Sequence, residues 1–430
     1  MTAAVAISFS STSWAQIVGA EPPPPFRNQE PYLEVHSTLT HTDNVFLTPG
    51  NKGADTLAAI GVGLDLRETL QRLSLNARGD LDYVDYLEHS YDPKTFGYFD
   101  GIGILGKNTD WVQWNVEETF GQLLIDPFAV PTPNNLKNVN YLTTGPTVNI
   151  PLGSRTRVSF YGMYSTVRSD IDSHQLQEGA AIEYAASNSV TVSAHATAQT
   201  THSENLFPEL EFTTQEQFVR AAVNGIRTIF TLDLGRAQLK DAGSTSSTPL
   251  IRAEIARRIS GVSTISLTAA QEYITSVDLL RASAGFGAPV GAQAPISTLD
   301  PLKDKAVALA WNVALRRTNI YLRYSWRDEI YTQATVFNNS VTSVEVGIDR
   351  KLSSVLTATI VARNESWHYQ NSVVNNHDTI INATLQWRLG RKLSLIGGFQ
   401  RDVRSANEHA TDYSENRIAL RVTYALIGLQ

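Results

Sequence analysis

The predicted fold follows from twelve consecutive residues, Arg72-Leu73-Ser74-Leu75-Asn76-Ala77-Arg78-Gly79-Asp80-Leu81-Asp82-Tyr83. The odd positions of this stretch are apolar or glycine, and the even positions are polar or charged. Because neighbouring side chains of a β-strand point to opposite faces of the sheet, the alternation predicts a strand with one apolar face and one polar face.

The same alternation recurs along the chain at 189–199, 319–327 and 380–389. These patterns persist for about 9 to 12 residues, which matches a tilted transmembrane β-strand and exceeds the roughly five or six residues usual in soluble β-sandwiches. Segments with helical periodicity are scarce. The sequence therefore predicts an all-β chain that forms a single transmembrane antiparallel up-and-down β-barrel.

The composition agrees with a membrane barrel and excludes several other classes. Apolar residues make up 42% of the 430 residues and charged residues 18%, with a formal net charge of -7. This balance excludes a disordered chain, which combines low hydrophobicity with high charge. No apolar run approaches the roughly 18 to 20 residues that a transmembrane helix needs. Cysteine is absent, which excludes disulfides and thiol chemistry, and the acidic balance argues against nucleic acid as a partner.

Connections between the predicted strands alternate between tight turns and longer loops. The tight turns lie at 152–154, 186–188, 259–261, 316–318, 352–354 and 389–391. The longer loops span 42–54, 126–137, 202–211, 240–248, 277–304, 367–376 and 403–413. Short periplasmic turns and long extracellular loops are typical of outer-membrane barrels, which have an even number of strands. The spacing predicts roughly 18 to 20 strands.

The N-terminal residues predict an export signal followed by a stiff leader. Residues 1–15 contain a short apolar segment and end in Ser13-Trp14-Ala15, a pattern suited to signal peptidase, but they lack a basic n-region. They are therefore interpreted as a truncated signal peptide, with a mature N-terminus as the alternative. Residues 16–30 form a proline-rich periplasmic segment that cannot join a sheet, and residues 31–430 form the barrel.

The last predicted strand carries a candidate assembly signal. Its apolar face consists of Leu420, Val422, Tyr424 and Leu426, and these alternate with polar or small residues. The pattern indicates recognition by the barrel-assembly machinery of Gram-negative bacteria. The chain continues for four more residues after Leu426, so it does not stop on an aromatic residue as such signals usually do.

Several segments resemble a known family of outer-membrane proteins. Thr42-Asp43-Asn44-Val45 follows the first predicted strand and Asp55 opens the second, and Trp111-Val112-Gln113-Trp114-Asn115-Val116-Glu117-Glu118 leads into Asp126-Pro127-Phe128. From about residue 32 to the C-terminus, this content and spacing resemble the beta-barrel porin 2 family. The resemblance implies an outer-membrane barrel encoded with exopolysaccharide or exosortase (PEP-CTERM) gene clusters, and it implies no catalytic residues.

Charged and ionisable residues on the polar faces are the candidate lining of the lumen. They must point inward, because Arg or Lys in the hydrocarbon zone costs about 2 to 4 kcal/mol at the midplane. The candidates are Arg78, Asp80, Asp82, Glu183, His195, Arg323, Arg327 and Arg421. Two interpretations stay open, namely a water-filled conduit whose arginines favour anionic solutes and a barrel sealed by ion pairs of mixed sign.

Catalytic and cofactor motifs are almost absent from the sequence. Gly101-Ile102-Gly103-Ile104-Leu105-Gly106 satisfies the dinucleotide pattern literally, but the following residues read as a strand and not as the helix that the motif requires. No P-loop, metalloprotease helix or nucleophile elbow occurs. A hydrolase would have to assemble a serine with His174, His195 or His368 across strands. We therefore expect no catalytic residues, no metal and no cofactor.

The sequence predicts a porin-like passive conduit in the outer membrane that serves the secretion of exopolysaccharide or another surface polymer. The alternatives are a plugged structural or adhesive barrel and an outer-membrane lipid or polysaccharide hydrolase. The expected partners are outer-membrane lipid, lipopolysaccharide bridged by divalent cations to loop acids, the barrel-assembly machinery, a polysaccharide and periplasmic export proteins.

Overall fold

The chain folds into one closed β-barrel of 20 antiparallel strands. The computed structural model describes residues 32–106, 110–169, 172–204, 210–241, 243–284, 298, 300–372, 374–407 and 411–427. The predicted signal peptide at 1–15 and the proline-rich segment at 16–30 lie outside the described residues. Among the described residues, no helix is long and apolar enough to cross a membrane.

The strands and the helix follow one another in chain order. They are β1 Tyr32–Thr42, β2 Asp55–Thr69, β3 Leu73–Tyr86, β4 Lys94–Leu105, β5 Val112–Leu124, β6 Leu136–Pro151, β7 Thr156–Arg168, β8 Ser173–Ala185, β9 Val190–Ser203, β10 Glu211–Asn224, β11 Thr228–Asp241, β12 Ser244–Arg258, β13 Ser263–Ile274, α1 Ser276–Ala284, β14 Leu302–Ala314, β15 Thr318–Tyr331, β16 Asn339–Lys351, β17 Leu356–Tyr369, β18 Asn375–Arg388, β19 Leu393–Ala406 and β20 Tyr413–Ile427. Single 3₁₀ turns occur at Pro133–Asn135 and Thr335–Phe337.

Each strand pairs with its neighbour in sequence, and β1 pairs with β20 to close the ring. At the closure, Thr38 lies opposite Arg421 and Leu39 lies opposite Leu420. Closure leaves the sheet without an edge strand, so most backbone groups of the wall find partners in the ladders between strands. Lipid offers no hydrogen bonds, and a closed barrel is therefore one of the few structures that can span a membrane. The predicted fold class is confirmed, with 20 strands at the upper end of the predicted range.

The outer surface carries an apolar belt that has no protein partner. On β20 the outward side chains Ile418 and Leu420 are 64% and 50% exposed, whereas Thr423 on the other face is buried. Outward leucine, isoleucine, valine, tryptophan and tyrosine side chains are exposed in the same way on the other strands. A belt of this kind is stable only in contact with hydrocarbon.

The inner face is polar, as the alternation predicted. Buried side chains on this face include Thr119, Asp233, Asp304 and Arg404. Buried charges of this kind require ion pairs or hydrogen bonds. Most exposed apolar side chains thus belong to the outer belt, and small buried apolar clusters occur inside, both near the extracellular end and around Phe218 in the middle of β10.

The six predicted tight turns are confirmed within about one residue, since each joins two strands of the barrel. The predicted loop at 240–248 is wrong, because β11 continues to Asp241 and β12 begins at Ser244. Residues 244–248 are serine and threonine, so they show no apolar alternation although their backbone continues the ladder. The loops predicted at 367–376 and 403–413 are shorter than expected, because β17 continues to Tyr369, β18 begins at Asn375 and β19 continues to Ala406.

Candidate functional site

Arg421 of β20 stands at the centre of a charged cluster on the inner wall beside the closure. Its Nη2 atom donates to Asp80 Oδ2 at 2.6 Å and to His36 Nδ1 at 2.8 Å, and it lies 3.6 Å from Glu34 Oε1. Because His36 Nδ1 accepts this hydrogen bond, the proton of a neutral ring sits on Nε2, which donates to Asp82 Oδ1 at 2.8 Å. The cluster therefore joins β1, β3 and β20 across the inner wall.

Two glycines of β2 give this cluster its room. In the register, Gly61 lies between His36 and Asp82, and Gly63 lies between Glu34 and Asp80. A Cβ atom at position 61 would collide with the His36 ring, whereas one at position 63 would stand 3.1 Å from Glu34. The side chains of β1 thus reach over β2 to β3 because β2 presents no side chains there.

The same cluster contains a possible set of metal ligands. Glu34, His36 and Asp80 offer ligand atoms that lie within 4.8 Å of one another. The guanidinium of Arg421 lies among these atoms and already supplies their positive charge. The geometry therefore describes an ion-paired wall, in which a metal ion would have to displace Arg421.

A second charged cluster surrounds Arg252 on the opposite side of the lumen. Arg252 Nη2 lies 2.8 Å from Glu216 Oε1 and 2.6 Å from Glu272 Oε2. Arg220 forms a bidentate pair with Asp233 at 2.7 and 2.8 Å. Both arginines lie over the ring of Phe218, Arg220 at 5.6 Å and Arg252 at 5.5 Å from the ring centroid. Each positive charge in this cluster therefore has an acidic partner within 3 Å.

All eight predicted lumen residues lie on the inward side of their strands. Asp80, Asp82 and Arg421 come together in the first cluster, and the others stand in separate contacts. Arg157 pairs with Glu183 at 3.0 Å, Arg323 with Glu345 at 3.2 Å and Arg327 with Asp304 at 3.2 Å. Arg78 lies over the Tyr98 ring at 5.7 Å, and His195 stacks on Phe218 at 4.6 Å. Opposite charges thus alternate around the inner wall.

The helix α1 crosses the extracellular end of the lumen. It follows β13 but packs its Val277 and Leu280 against the inner faces of β5, β6 and β7, on the far side of the ring. Its Leu279 packs against Ile274 and Tyr331 near its own strands. Thr275 and Asp278 cap the helix, since Thr275 N donates to Asp278 Oδ2 at 2.8 Å. The helix therefore bridges two opposite walls and narrows the mouth.

The loop between β5 and β6 forms a second bridge at this mouth. Its Phe128 meets the Tyr369 ring edge-on at 4.9 Å and lies 6.0 Å from Phe337, and the Tyr369 hydroxyl donates to Pro127 O at 3.3 Å. Tyr369 ends β17 and Phe337 ends the 3₁₀ turn between β15 and β16, both on the far side of the ring. The mouth is thus spanned twice, by α1 and by an aromatic contact.

Asp300 fastens the segment after α1 to the loop between β15 and β16. Its Oδ2 atom accepts hydrogen bonds from the backbone N–H groups of Gln333 and Ala334, both at 2.8 Å. Burial raises the pKa of Asp300, and these two hydrogen bonds only partly offset the rise. Gln333 Nε2 donates in turn to Asp241 Oδ2 at 2.6 Å. The segment after α1, the loop between β15 and β16 and the end of β11 are therefore connected by hydrogen bonds at the rim.

Sequence reasoning missed both bridges, although each had a local signal. Thr275-Ser276-Val277-Asp278 has the spacing of a capping box before a helix, and it was absorbed into the predicted loop at 277–304. Asp126-Pro127-Phe128 was noticed only as part of the family resemblance. Nothing in the sequence shows which wall these segments reach.

One serine and one histidine do meet on the inner wall. Ser193 Oγ lies 2.8 Å from His195 Nε2 on the same strand. Ser193 is only 4% exposed, and the His195 ring is stacked parallel to Phe218. A nucleophile must reach the substrate carbonyl, and this hydroxyl is enclosed by the wall. The arrangement fits a packed polar pair better than a hydrolytic site.

The closed ladder, the outward apolar belt and the charged interior together define an integral outer-membrane β-barrel. No family model matches the chain, and no curated protein matches it. The resemblance to the beta-barrel porin 2 family therefore stays a prediction.

Solved structures of similar shape are large barrels from Gram-negative bacteria. A variant of the ferric enterobactin receptor of Pseudomonas aeruginosa has a TM-score of 0.47 and 10% identity, covering 91% of this chain and 80% of that one. The siderophore receptor PirA of the same organism gives 0.44 and 12%, covering 93% and 81%. The FrpB iron transporter of Neisseria meningitidis gives 0.47 and 9%, covering 92% and 82%. Likeness at this level carries no argument about ligand or mechanism.

Proposed function

We propose that this barrel is a passive conduit for a polar, hydroxyl-rich solute, and that it serves the export of a surface polysaccharide. The observation that carries the proposal is the charge pattern of the inner wall. Arg252 is held between Glu216 and Glu272, and Arg421 is held beside Asp80. A wall of this kind is hydrophilic without a strong net sign, so it favours a neutral solute over the anion that its arginines alone would suggest.

Inward aromatic rings support the carbohydrate part of the proposal. Tyr161 lies over Gly179 and Tyr321 lies over Gly347, since a Cβ atom at either glycine would collide with the tyrosine ring. Such rings present a flat apolar face beside polar groups, which is the combination that binds sugar rings in pockets and channels. The link to polymer secretion itself comes from the family resemblance.

The mechanism requires no cofactor, since the wall only has to bind and release a solute along a series of weak sites. Passage requires the two bridges at the mouth to yield or to leave a gap beside them. We propose in addition that the barrel-assembly machinery reads the outward face of β20 and that lipopolysaccharide and periplasmic export proteins are its neighbours.

Conductance across a planar bilayer tests the proposal. We expect discrete steps for the purified barrel, weak ion selectivity and reversible block by a neutral glucan added to either side. Deletion of the gene should reduce secreted polymer. Normal polymer secretion in the deletion strain, together with no block by glucans, would overturn the polysaccharide assignment.

A plugged barrel that anchors surface components is the second candidate. It is favoured by one observation, the double bridge made by α1 and by Phe128 at the mouth. A sealed barrel gives no conductance steps under any applied voltage, whereas a narrowed conduit gives small ones. The hydrolase alternative predicts labelling of Ser193 by a fluorophosphonate, and we propose that no such labelling occurs because the hydroxyl is enclosed.

A further inference from the structure

The strands β4 and β5 separate in the extracellular half of the wall. Their ladder runs only from Phe99 opposite Phe120 to Leu105 opposite Trp114. Above this point β4 stays paired with β3 as far as Lys94, and β5 stays paired with β6 as far as Leu124. Two complete strands thus diverge from each other and leave a split in the wall, here called the β4–β5 split.

Side chains take the place of the missing ladder in this split. Gln122 Oε1 accepts from the Gly97 N–H at 3.4 Å, Gln122 Nε2 donates to Asn138 Oδ1 at 2.9 Å, and Asn138 Nδ2 donates to Thr95 O at 3.1 Å. Lys94 Nζ donates to Pro133 O at 2.7 Å. Side-chain amides rotate more easily than a backbone ladder breaks. The hydrogen bonds of Gln122 and Asn138 can therefore open and close without any change in the strands.

The split lies at the height of the membrane. On the neighbouring strand, Leu81 is paired with Gly97 and Tyr83 with Thr95, and Tyr83 is an exposed outward side chain. The apolar belt therefore reaches the level of the split on the β3 side. Backbone groups that are unpaired at this level cost several kcal/mol each in lipid, which explains why the amides of Gln122 and Asn138 are needed.

Apolar residues lie directly behind the split, inside the lumen. Leu280 of α1 rests on Gly121 of β5, and α1 also contacts β4. Leu123, Val139, Tyr141, Val167 and Val277 belong to the same buried cluster as Leu280. A hydrocarbon chain that entered through the split would meet this apolar surface in an otherwise polar interior.

A polar pair faces the lipid just below the split. Glu118 shares the outward face of β5 with the exposed Trp114 and Val116, and it accepts a hydrogen bond from Asn140 Nδ2 at 3.2 Å. The Asn140 Oδ1 atom is buried and has no hydrogen-bond donor among the described residues. The Glu118 carboxylate is the accessible acceptor of this pair, so it suits a ligand that brings hydroxyl or amine donors and repels a phosphate.

The strands β12 and β13 also separate, but apolar packing closes the space between them. The β12–β13 ladder ends at Ile251 opposite Gln271. There Tyr273 packs against the buried cluster that contains Leu250, and Gln271 Nε2 donates to Thr248 and to Pro249 O. The helix α1 begins directly after β13, but its Leu279 packs against Ile274 at the end of that strand, and the Leu250 cluster contains no residue of α1. The combination of a split, an apolar surface behind it and a polar pair outside it is found at β4–β5.

We propose that the β4–β5 split is a lateral entry site for an amphiphile with one hydrocarbon chain and a hydroxyl- or amine-bearing headgroup. The chain passes between the separated strands onto the surface formed by Leu280 and Val277, and the headgroup binds Glu118. This passage is independent of the polar conduit, because it joins the lumen to the outer leaflet instead of to the extracellular medium.

Photolabelling from the bilayer tests this site. The barrel is reconstituted in vesicles that contain a photoreactive dodecyl glucoside, and labelled peptides are identified by mass spectrometry. We expect labelling of residues 276–284 on α1, although this helix lies inside the barrel. Cysteines introduced at Thr95 and Asn138 and joined by a short bismaleimide should lower that labelling at least tenfold. The chain has no native cysteine, so the bridge forms only where it is placed.

A matched pair of cysteines at Thr379 and Val403, which are opposite each other in the fully paired β18–β19 ladder, serves as the control. Its bridge should leave the labelling of α1 unchanged, and Gln122→Ala should increase it. A dodecyl phosphate probe should label α1 less than the glucoside. Absence of α1 labelling, or labelling that persists when the split is bridged, overturns the proposal. Conductance measured on the same variants reports separately on the polar conduit.

Discussion

Leu280 of α1 occupies the space that Gly121 of β5 leaves open, and a Cβ atom at position 121 would stand 2.6 Å from Leu280 Cδ1. The two residues are held by opposite sides of the barrel, since α1 follows β13 in the chain. This contact fixes how far α1 reaches across the lumen. The width of the mouth therefore depends on residue 121 being a glycine, which has no Cβ atom.

Gly121→Leu should therefore displace α1 from the wall. We expect a conductance increase of about twofold or more, together with a loss of about 1 to 3 kcal/mol in the free energy of unfolding, as is usual for overpacking. Single-channel recording and urea titration measure the two effects. Gly397→Ala is the matched control, because a Cβ atom there has no neighbour within 4 Å. Equal conductance in both variants would show that α1 does not limit the mouth.

Arg421→Gln should destabilise the barrel closure. The substitution leaves Asp80, Asp82 and Glu34 without their central cation. Because the Arg421 side chain is 23% exposed, we expect a loss of about 2 kcal/mol, less than the 3 to 5 kcal/mol typical of a fully buried pair. Asp80→Asn in the same chain should restore part of the loss by removing a repulsive charge. The urea midpoint in detergent measures both variants, and additive losses would contradict the cluster.

Gly61→Ala should cost more stability than Gly63→Ala. The first substitution places a Cβ atom against the His36 ring and against backbone, whereas the second meets the end of the flexible Glu34 side chain at 3.1 Å. We expect the difference to exceed about 1 kcal/mol. Comparison of the temperatures at which unheated samples lose their fast gel mobility measures it. If the backbone propensity of glycine alone decided the outcome, the two variants would have the same stability.

Asp43 should make the barrel sensitive to acid. Its carboxylate accepts hydrogen bonds from Asn416 N at 2.8 Å and from Asn416 Nδ2 at 2.7 Å. Burial raises the pKa of Asp43, but these hydrogen bonds together with Lys52 outweigh it and lower the pKa below its ordinary 3.8. A lowered folded-state pKa means that the stabilisation is present above pH 3.8 and is lost as the pH falls through the folded-state value.

The measurement is the unfolding midpoint as a function of pH for the native chain and for Asp43→Asn. The native chain should lose stability as the pH falls below the ordinary pKa of 3.8, and the variant should lose less because position 43 no longer titrates. Asp92→Asn, at an exposed position in another loop, controls for a general effect of removing a surface charge. Parallel curves for the native chain and Asp43→Asn would contradict the role of Asp43.

The strand faces were predictable because the alternation of side chains is a local property. On β20, the alternate residues Ile418, Leu420, Val422, Tyr424 and Leu426 point outward as the pattern predicted. On β3, the alternate residues Arg78, Asp80 and Asp82 point inward. The prediction of a loop at 240–248 was wrong because both faces of the strands are polar there, above the apolar belt. There the backbone ladder persists but the sequence carries no periodic signal.

The candidate site was predictable only residue by residue. Arg421, Asp80 and Asp82 were each assigned to the lumen from their own strands, but their contact depends on the closure of β20 onto β1 and on two glycines of β2 that no pattern singled out. The sequence also suggested an arginine-lined path for anions, whereas the structure pairs Arg323, Arg327 and Arg421 with acids.

By itself, the sequence determined that this chain is a barrel and which side of each strand meets lipid, because strand period and apolar content act over a few neighbouring residues. Only the tertiary structure decided which residues face one another across the lumen. His36 and Arg421 are 385 residues apart in the chain, and α1 meets β5 across the ring. Such contacts depend on ring closure and on the reach of loops, which local chemistry does not encode.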